Sequence, residues 1–195
     1  MSKPEYSLPP DYFEELYQAD PDPWKFETSD YEAQKYQKTV NALPKPRYKN
    51  AFEIGGSIGV LTATLAQRCD SLLSVDVSPT AQSKAIARCQ DLPQVRFKIA
   101  QVPQDYPSEI FDLTVMSEVG YYLNWDDFKT TQQLIIEHLT IGGHLILVHW
   151  TLPVPTYPLT GDLVHDSFLE LDQRQLKHLK GFREDKYRLD VFERI

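Results

Sequence analysis

Two acids and a cluster of glycines carry the most specific chemistry in this chain. The stretch Phe52-Glu53-Ile54-Gly55-Gly56-Ser57-Ile58-Gly59-Val60-Leu61-Thr62 joins an apolar run to an amphipathic one. Glycine at Gly55 and Gly59 lets backbone N–H groups approach a ligand, because no Cβ stands in the way. The N-terminus of a following helix would add partial positive charge at the same point. A second apolar run, Ser71-Leu72-Leu73-Ser74-Val75, ends in Asp76. An acid roughly 20 residues beyond such a glycine turn is the ribose-binding device of doubly wound α/β folds. The spacing is Gly-Gly-x-x-Gly rather than G-x-G-x-x-G, and Glu53 stands where dinucleotide-binding turns carry an apolar residue. Both departures turn the reading away from a dinucleotide fold. A different nucleotide-binding domain, or a turn needed only for packing, stays open at this point.

Strands and helices must hold these groups. Apolar runs at Tyr48–Ile54, Ser71–Val75, Val95–Ile99, Phe111–Met116 and His144–Trp150 predict parallel strands,. Helices are expected from Val60, with Val60, Leu61, Leu65 and Ala66 inward, and from Pro79 to about Cys89 behind an N-capping Ser78,. Ala81, Ala85 and Ile86 are its expected buried stripe. A further helix spans Asp126–Leu139. Gly142-Gly143 turns the chain into the fifth strand. Asp162–Leu179 reads as a last helix, and Tyr187–Phe192 as a final strand, with a short second strand an option near Phe182.

Residues 1–46 differ in character. They hold aromatic residues among acids and prolines, with a short helix from Asp11 to Tyr17 and a turn at Asp20-Pro21-Asp22-Pro23-Trp24,. Ser29 and Glu32 form the signature of a capping box for a helix over Asp30–Leu43. Such a segment can lie across the open carboxyl edge of the sheet. Trp24 and Tyr36 are the rings best placed to serve a ligand there; packing of the helices against the sheet is the alternative for each.

The 195 residues suit one domain with a full core,. A net charge of −8 without a basic run argues against nucleic acid as a partner,. No apolar stretch approaches a membrane span and no signal-peptide pattern opens the chain, so cytoplasm is the expected location. Cys69 and Cys89 have no metal-ligand spacing and read as reduced structural thiols, so no metal is expected,.

Together the turn, Asp76, Phe111-Asp112-Leu113 and Gly142-Gly143 resemble the landmarks of class I S-adenosylmethionine (SAM)-dependent methyltransferases. The resemblance implies a Rossmann-like α/β fold: a mostly parallel sheet with one antiparallel strand, under an N-terminal helical lid. It implies SAM as cofactor. Glu53, Gly55, Gly56, Ser57 and Gly59 would hold the methionine part, and Asp76 with Val77 the ribose. Gln101, Val102 and Ser117 would lie near the adenine and the donor, with Trp24 and Tyr36 as lid. Glu118 and His149 are the candidate catalytic groups. For Glu118 a loop charge, and for His149 a structural role, remain alternatives. Tyr121, Tyr122 and Trp150 would form the acceptor wall.

Asp22-Pro23-Trp24, Tyr31-Glu32 to Tyr36, Ser117-Glu118-Val119, Val148-His149-Trp150 and Gly161-Asp162-Leu163-Val164-His165-Asp166 make the chain similar to the NodS-like methyltransferases in particular. That resemblance implies N-methylation of a free amine on a deacetylated, chitooligosaccharide-like acceptor. Gly56 stands where such sequences often carry cysteine or another small residue. Another small-molecule methyltransferase, or a catalytically silent SAM-binding protein, is the competing reading.

Overall fold

A computed structural model describes residues 4–171 and 174–195. Seven strands form one sheet in the order β3-β2-β1-β4-β5-β7-β6. They are β1 (Ala51–Ile54), β2 (Leu72–Asp76), β3 (Val95–Ile99), β4 (Phe111–Ser117), β5 (Leu139–Trp150), β6 (Leu176–Arg183) and β7 (Tyr187–Arg194). The first five run parallel, and β7 alone runs against its neighbours β5 and β6. The chain moves outward from β1 through β2 to β3, then returns to place β4 beside β1. Ligands of open α/β sheets bind at the carboxyl ends of strands flanking such a reversal.

Alternation along β1 sorts its side chains. Phe52 and Ile54 join the core beneath α5 (Trp125–His138) and α6 (Gly161–Leu169). Ala51 faces the other core, under α2 (Asp30–Asn41) and α3 (Val60–Leu65). Glu53 shares the Ala51 face by the period of two. Helix starts are chemically marked. Ser78, Asn124 and Thr160 each accept a backbone N–H from three residues on, opening α4 (Pro79–Arg88), α5 and α6,.

Several expectations need correction. The helix predicted over Asp162–Leu179 ends at Leu169, and Leu176 onward is edge strand β6; residues 172–173 of that reading lie outside the described residues. Leu176, Leu179 and Phe182 are spaced by three, as on a helix; pairing with β7, with a register shift between His178 and Lys180, makes the segment a strand instead. β5 begins at Leu139 and runs through Gly142–Gly143, its pairing with β4 shifting between Phe111 and Leu113. Ile86 is half exposed rather than buried. α3 is short and continues as a 3-10 turn over Ala66–Arg68. The capping box is only half made. Ser29 Oγ accepts from Glu32 N, but the Glu32 carboxylate turns inward to Lys35.

The N-terminal segment does lie over the carboxyl edge of the sheet. Helix α1 (Pro10–Ala19) is tied to α4 by Glu14, whose carboxylate accepts from Ser78 Oγ and Thr80 Oγ1, each at 2.6 Å. Leu8 N donates to Tyr122 O at 2.8 Å. Ser7 Oγ donates to Asp127 and accepts from Asn124 N.

Candidate active site

A cleft of about 580 Å³ opens where β1, β2, β4 and β5 end, with α1, α2 and the turn between them as its roof. Its floor is the turn after β1. Gly55, Ser57 and Gly59 all have left-handed backbones, at φ 81, 51 and 81°. Gly55 N and Gly56 N both donate to Val75 O, at 2.9 and 3.0 Å, which ties the turn to β2. A Cβ on Gly56 would lie 2.0 Å from Ser74 Oγ. A side chain at Gly56 would therefore have to displace Ser74 Oγ, which donates to Glu53. Gly59 is held away from the cleft by packing: a Cβ would come within 2.8 Å of Ala85 Cα on α4.

Asp76 ends β2 and stitches two loops together. Its Oδ2 accepts from Ser57 N at 2.8 Å and its Oδ1 from Ser78 N at 2.9 Å. Each carboxylate oxygen has two lone pairs, so each keeps one for the cleft. Val77, Gln101, Val102 and Leu123 continue the wall beyond it. From above, Tyr17 hydrogen-bonds Ser57 through their hydroxyls. Trp24 stacks on Phe26 at 5.6 Å, and Tyr36 closes the row. A Cβ-free turn, a half-engaged acid and an apolar wall with one amide fit an adenosyl ligand, and the volume lies within the usual ligand-pocket range.

Glu53 does not reach this cleft. It is 1% exposed, and its Oε2 accepts from Thr62 Oγ1 at 2.6 Å and Ser74 Oγ at 2.8 Å. Register explains it: Glu53 pairs with Ser74 across β1 and β2, behind the turn. Burial pushes its carboxyl up to about 7, against the pull of the two hydroxyls.

The other half of the cleft is charged. Glu118, at φ 58°, follows Ser117 at the end of β4. Its Oε1 accepts from Lys35 Nζ at 2.7 Å; its Oε2 accepts from Tyr121 Oη at 2.5 Å and Trp150 N at 2.8 Å. Lys35 also meets Glu32 at 2.8 Å. Burial opposes the charge on Lys35, but Glu118 and Glu32 outweigh it and hold its pKa above the ordinary range. Burial raises the pKa of Glu32, against the pull of Lys35, and Lys186 also borders the cleft, so two ammonium groups face the two acids. Tyr31 and Trp150 meet edge to face at 6.3 Å, and Lys186 Nζ lies 5.6 and 5.9 Å from their centroids. Tyr121 stacks on Tyr157 at 5.1 Å, with Tyr122 edge-on to both.

His149 is absent from this lining. It is fully buried behind Tyr121, with Nε2 3.0 Å from Gly120 N and Nδ1 3.0 Å from His165 Nε2. Burial, then the neighbouring His165, push its pKa well below the ordinary histidine value. Gly59, too, lies outside the lining, packed against Ala85 of α4; the other expected residues, from Trp24 through Trp150, do line the cleft. Lys35, Lys186 and the inward turn of Glu32 were missed: Glu32 read as a capping-box acid, and the two lysines carried no local signal. The spacing Glu32–Lys35–Tyr36 on one helix face was the available signal.

A sheet of this order, with a nucleoside-type cleft at the β1/β4 reversal and one antiparallel strand, defines the class I SAM-dependent methyltransferase fold. The family model for Nodulation protein S (NodS) matches residues 11–149, and the chain belongs to that family. Nodulation protein S of Sinorhizobium fredii is 28% identical over 64% of this chain and 59% of its own length. That of Rhizobium tropici is 30% identical over 64% and 53%. The chain thus spans between half and two thirds of the curated relatives it matches. The solved N-methyltransferase NodS from Bradyrhizobium japonicum WM9, in complex with S-adenosylhomocysteine (SAH), superposes with a TM-score of 0.84 at 23% identity, covering 95% of this chain and 98% of that one. A putative methyltransferase from Pseudomonas syringae gives 0.73 at 34% identity, covering 84% and 99%.

Proposed function

We propose that this chain is a SAM-dependent N-methyltransferase acting on the free amino group of a deacetylated, chitooligosaccharide-like amino sugar. The observation that carries the reading is the wall of Glu32, Lys35 and Glu118, where Glu118 offers a carboxylate oxygen as hydrogen-bond acceptor to a substrate that arrives as an ammonium. The solved NodS relative is an N-methyltransferase by name, which supports the same atom as acceptor.

Bound in the cleft, SAM supplies an electrophilic methyl group on a sulfonium, so the protein's task is alignment and drying. Asp76 holds the ribose through its two free lone pairs. Gly55, Gly56 and Ser57 take the methionine half, and Gln101 meets the purine edge. Trp24, Tyr36 and Tyr17 keep water out from above. On the acceptor side, Tyr31 and Trp150 provide flat apolar faces for a sugar ring, and Tyr121 and Tyr122 bound the reacting nitrogen. The amine must lose a proton before it attacks. Glu118 accepts a hydrogen bond from the ammonium at Oε1 and holds or passes on that proton.

The test is methyl transfer from labelled SAM to glucosamine oligomers in de-N-acetylated and fully acetylated forms. Label on the free-amine oligomer alone is the expected result. Equal labelling of both, or transfer only to phenols or thiols, would defeat the reading.

A further inference from the structure

Five side chains from β5, α6, β7 and β6 meet beneath the acceptor loop and take no part in the cleft lining. Gly120 N donates to His149 Nε2 at 3.0 Å, His149 Nδ1 lies 3.0 Å from His165 Nε2, and His165 Nδ1 lies 2.6 Å from Asp190 Oδ2. His149 and His165 are fully buried and Asp190 is 3% exposed. His178 Nε2 lies 2.7 Å from Asp190 Oδ1, and Arg188 Nε donates to Oδ2 at 2.7 Å.

Direction in this chain is fixed by its two ends. An amide can only donate, and a carboxylate can only accept. A neutral imidazole has one donor and one acceptor nitrogen. His149 must therefore accept at Nε2 and donate from Nδ1, and His165 must do the same. We propose that Asp190, through His165 and His149, sets the backbone of the Gly120–Tyr122 turn and so aims Glu118 at the acceptor: the three are positioning residues for the transfer.

The loop they hold needs holding. Glu118 sits in the left-handed region at φ 58°, two residues before Gly120, and a non-glycine residue stays there only when its surroundings demand it. The turn has no slack on the other side: a Cβ on Gly120 would come within 2.9 Å of Val164 Cγ1 on α6. Tyr121, next in the turn, donates to Glu118 and packs edge-on to His149 at 5.3 Å. Loss of the acceptor at His149 would free Gly120 N, and with it the Tyr121–Glu118 pair.

The inference rests on Glu118 facing the acceptor amine, and its test separates the two. In the full-length protein with ¹⁵N-labelled histidine, long-range ¹H–¹⁵N correlation reads the tautomers directly. Both His149 and His165 are expected as Nδ1–H, the form less favoured in free imidazole. His149→Leu is expected to lower kcat for the amine acceptor at least about tenfold, with SAH affinity held within about threefold. His149→Gln, which restores an oxygen for Gly120 N, is expected to recover most of that loss. An Nε2–H tautomer at His149, or unchanged turnover in His149→Leu, would overturn the proposal. If the native protein methylates no amine, the functional reading falls, while the tautomers still judge the relay.

Discussion

Asp76→Ala separates ligand recognition from loop architecture. Asp76 Oδ2 and Oδ1 each already accept one backbone N–H, from Ser57 and Ser78. At most one lone pair per oxygen is left for ribose. A hydrogen bond to a charged group contributes about 1.5–3 kcal/mol, so losing one bond weakens binding by about ten- to hundredfold, and losing both by at least about a hundredfold. The substitution also strips two amides of their acceptor. An amide left dry costs about 1–3 kcal/mol, or about 2–10 °C of Tm in a chain of this size. Asp76→Asn is no refuge. Its NH₂ group must replace one of two oxygens, and each faces a backbone N–H donor. Titration calorimetry with SAH and with adenosine, beside thermal melts, reads the two effects apart. Both ligands are expected to weaken by the same factor, because the ribose is common to them. A folded Asp76→Ala protein that binds SAH within twofold of the native affinity would refute the assignment.

Three further predictions concern individual charged groups. The Glu53 carboxyl, raised by burial to about 7 from 4.5 in the unfolded chain, should make the native protein lose stability as pH rises through that window, because the unfolded chain ionises first. Glu53→Gln removes that slope, so its Tm relative to native should climb between pH 5 and pH 8; a constant gap would count against it. Lys35→Met leaves Glu32 and Glu118 without their cation and should destabilise by about 3–5 kcal/mol. Adding Glu118→Gln should recover part of that in chemical denaturation, and no recovery would contradict the coupling. Glu14, whose carboxyl is lowered to about 2 by the Ser78 and then Thr80 hydroxyls, contributes above its unfolded pKa and loses that contribution as pH falls toward 2. Glu14→Gln should therefore speed amide exchange in α1 at pH 7, while native α1 should loosen only below about pH 4; equal exchange in both would remove this tether.

How far the sequence reached depended on where each interaction is encoded. The turn after β1, Asp76 and the caps Ser78 and Ser29 are local signals, and local chemistry places them. Glu118 was legible because it follows an apolar run that could only be a central strand. Glu53 was misjudged for a reason of register: sequence spacing does not tell that it faces Ser74 across two strands rather than the cleft. His149 has the same origin. Its partners His165 and Asp190 lie 16 and 41 positions on, and only the α6 and β7 packing brings them together. The Leu176–Leu179 part of edge strand β6 was read as helix because its leucines are spaced by three, and backbone pairing with β7 leaves no mark on composition. Glu32 read as the acid of a capping box and Lys35 carried no assignment, because only the roof position of α2 turns them inward.

A crystal of the chain grown with SAH tests the central claim most directly. The ribose is expected against Asp76, the adenine beside Gln101 and Val102, and the homocysteine sulfur between the Gly55–Ser57 turn and Glu118. Density elsewhere, or the cleft closed over by the side chains of α1 and α2 at saturating SAH, would contradict it.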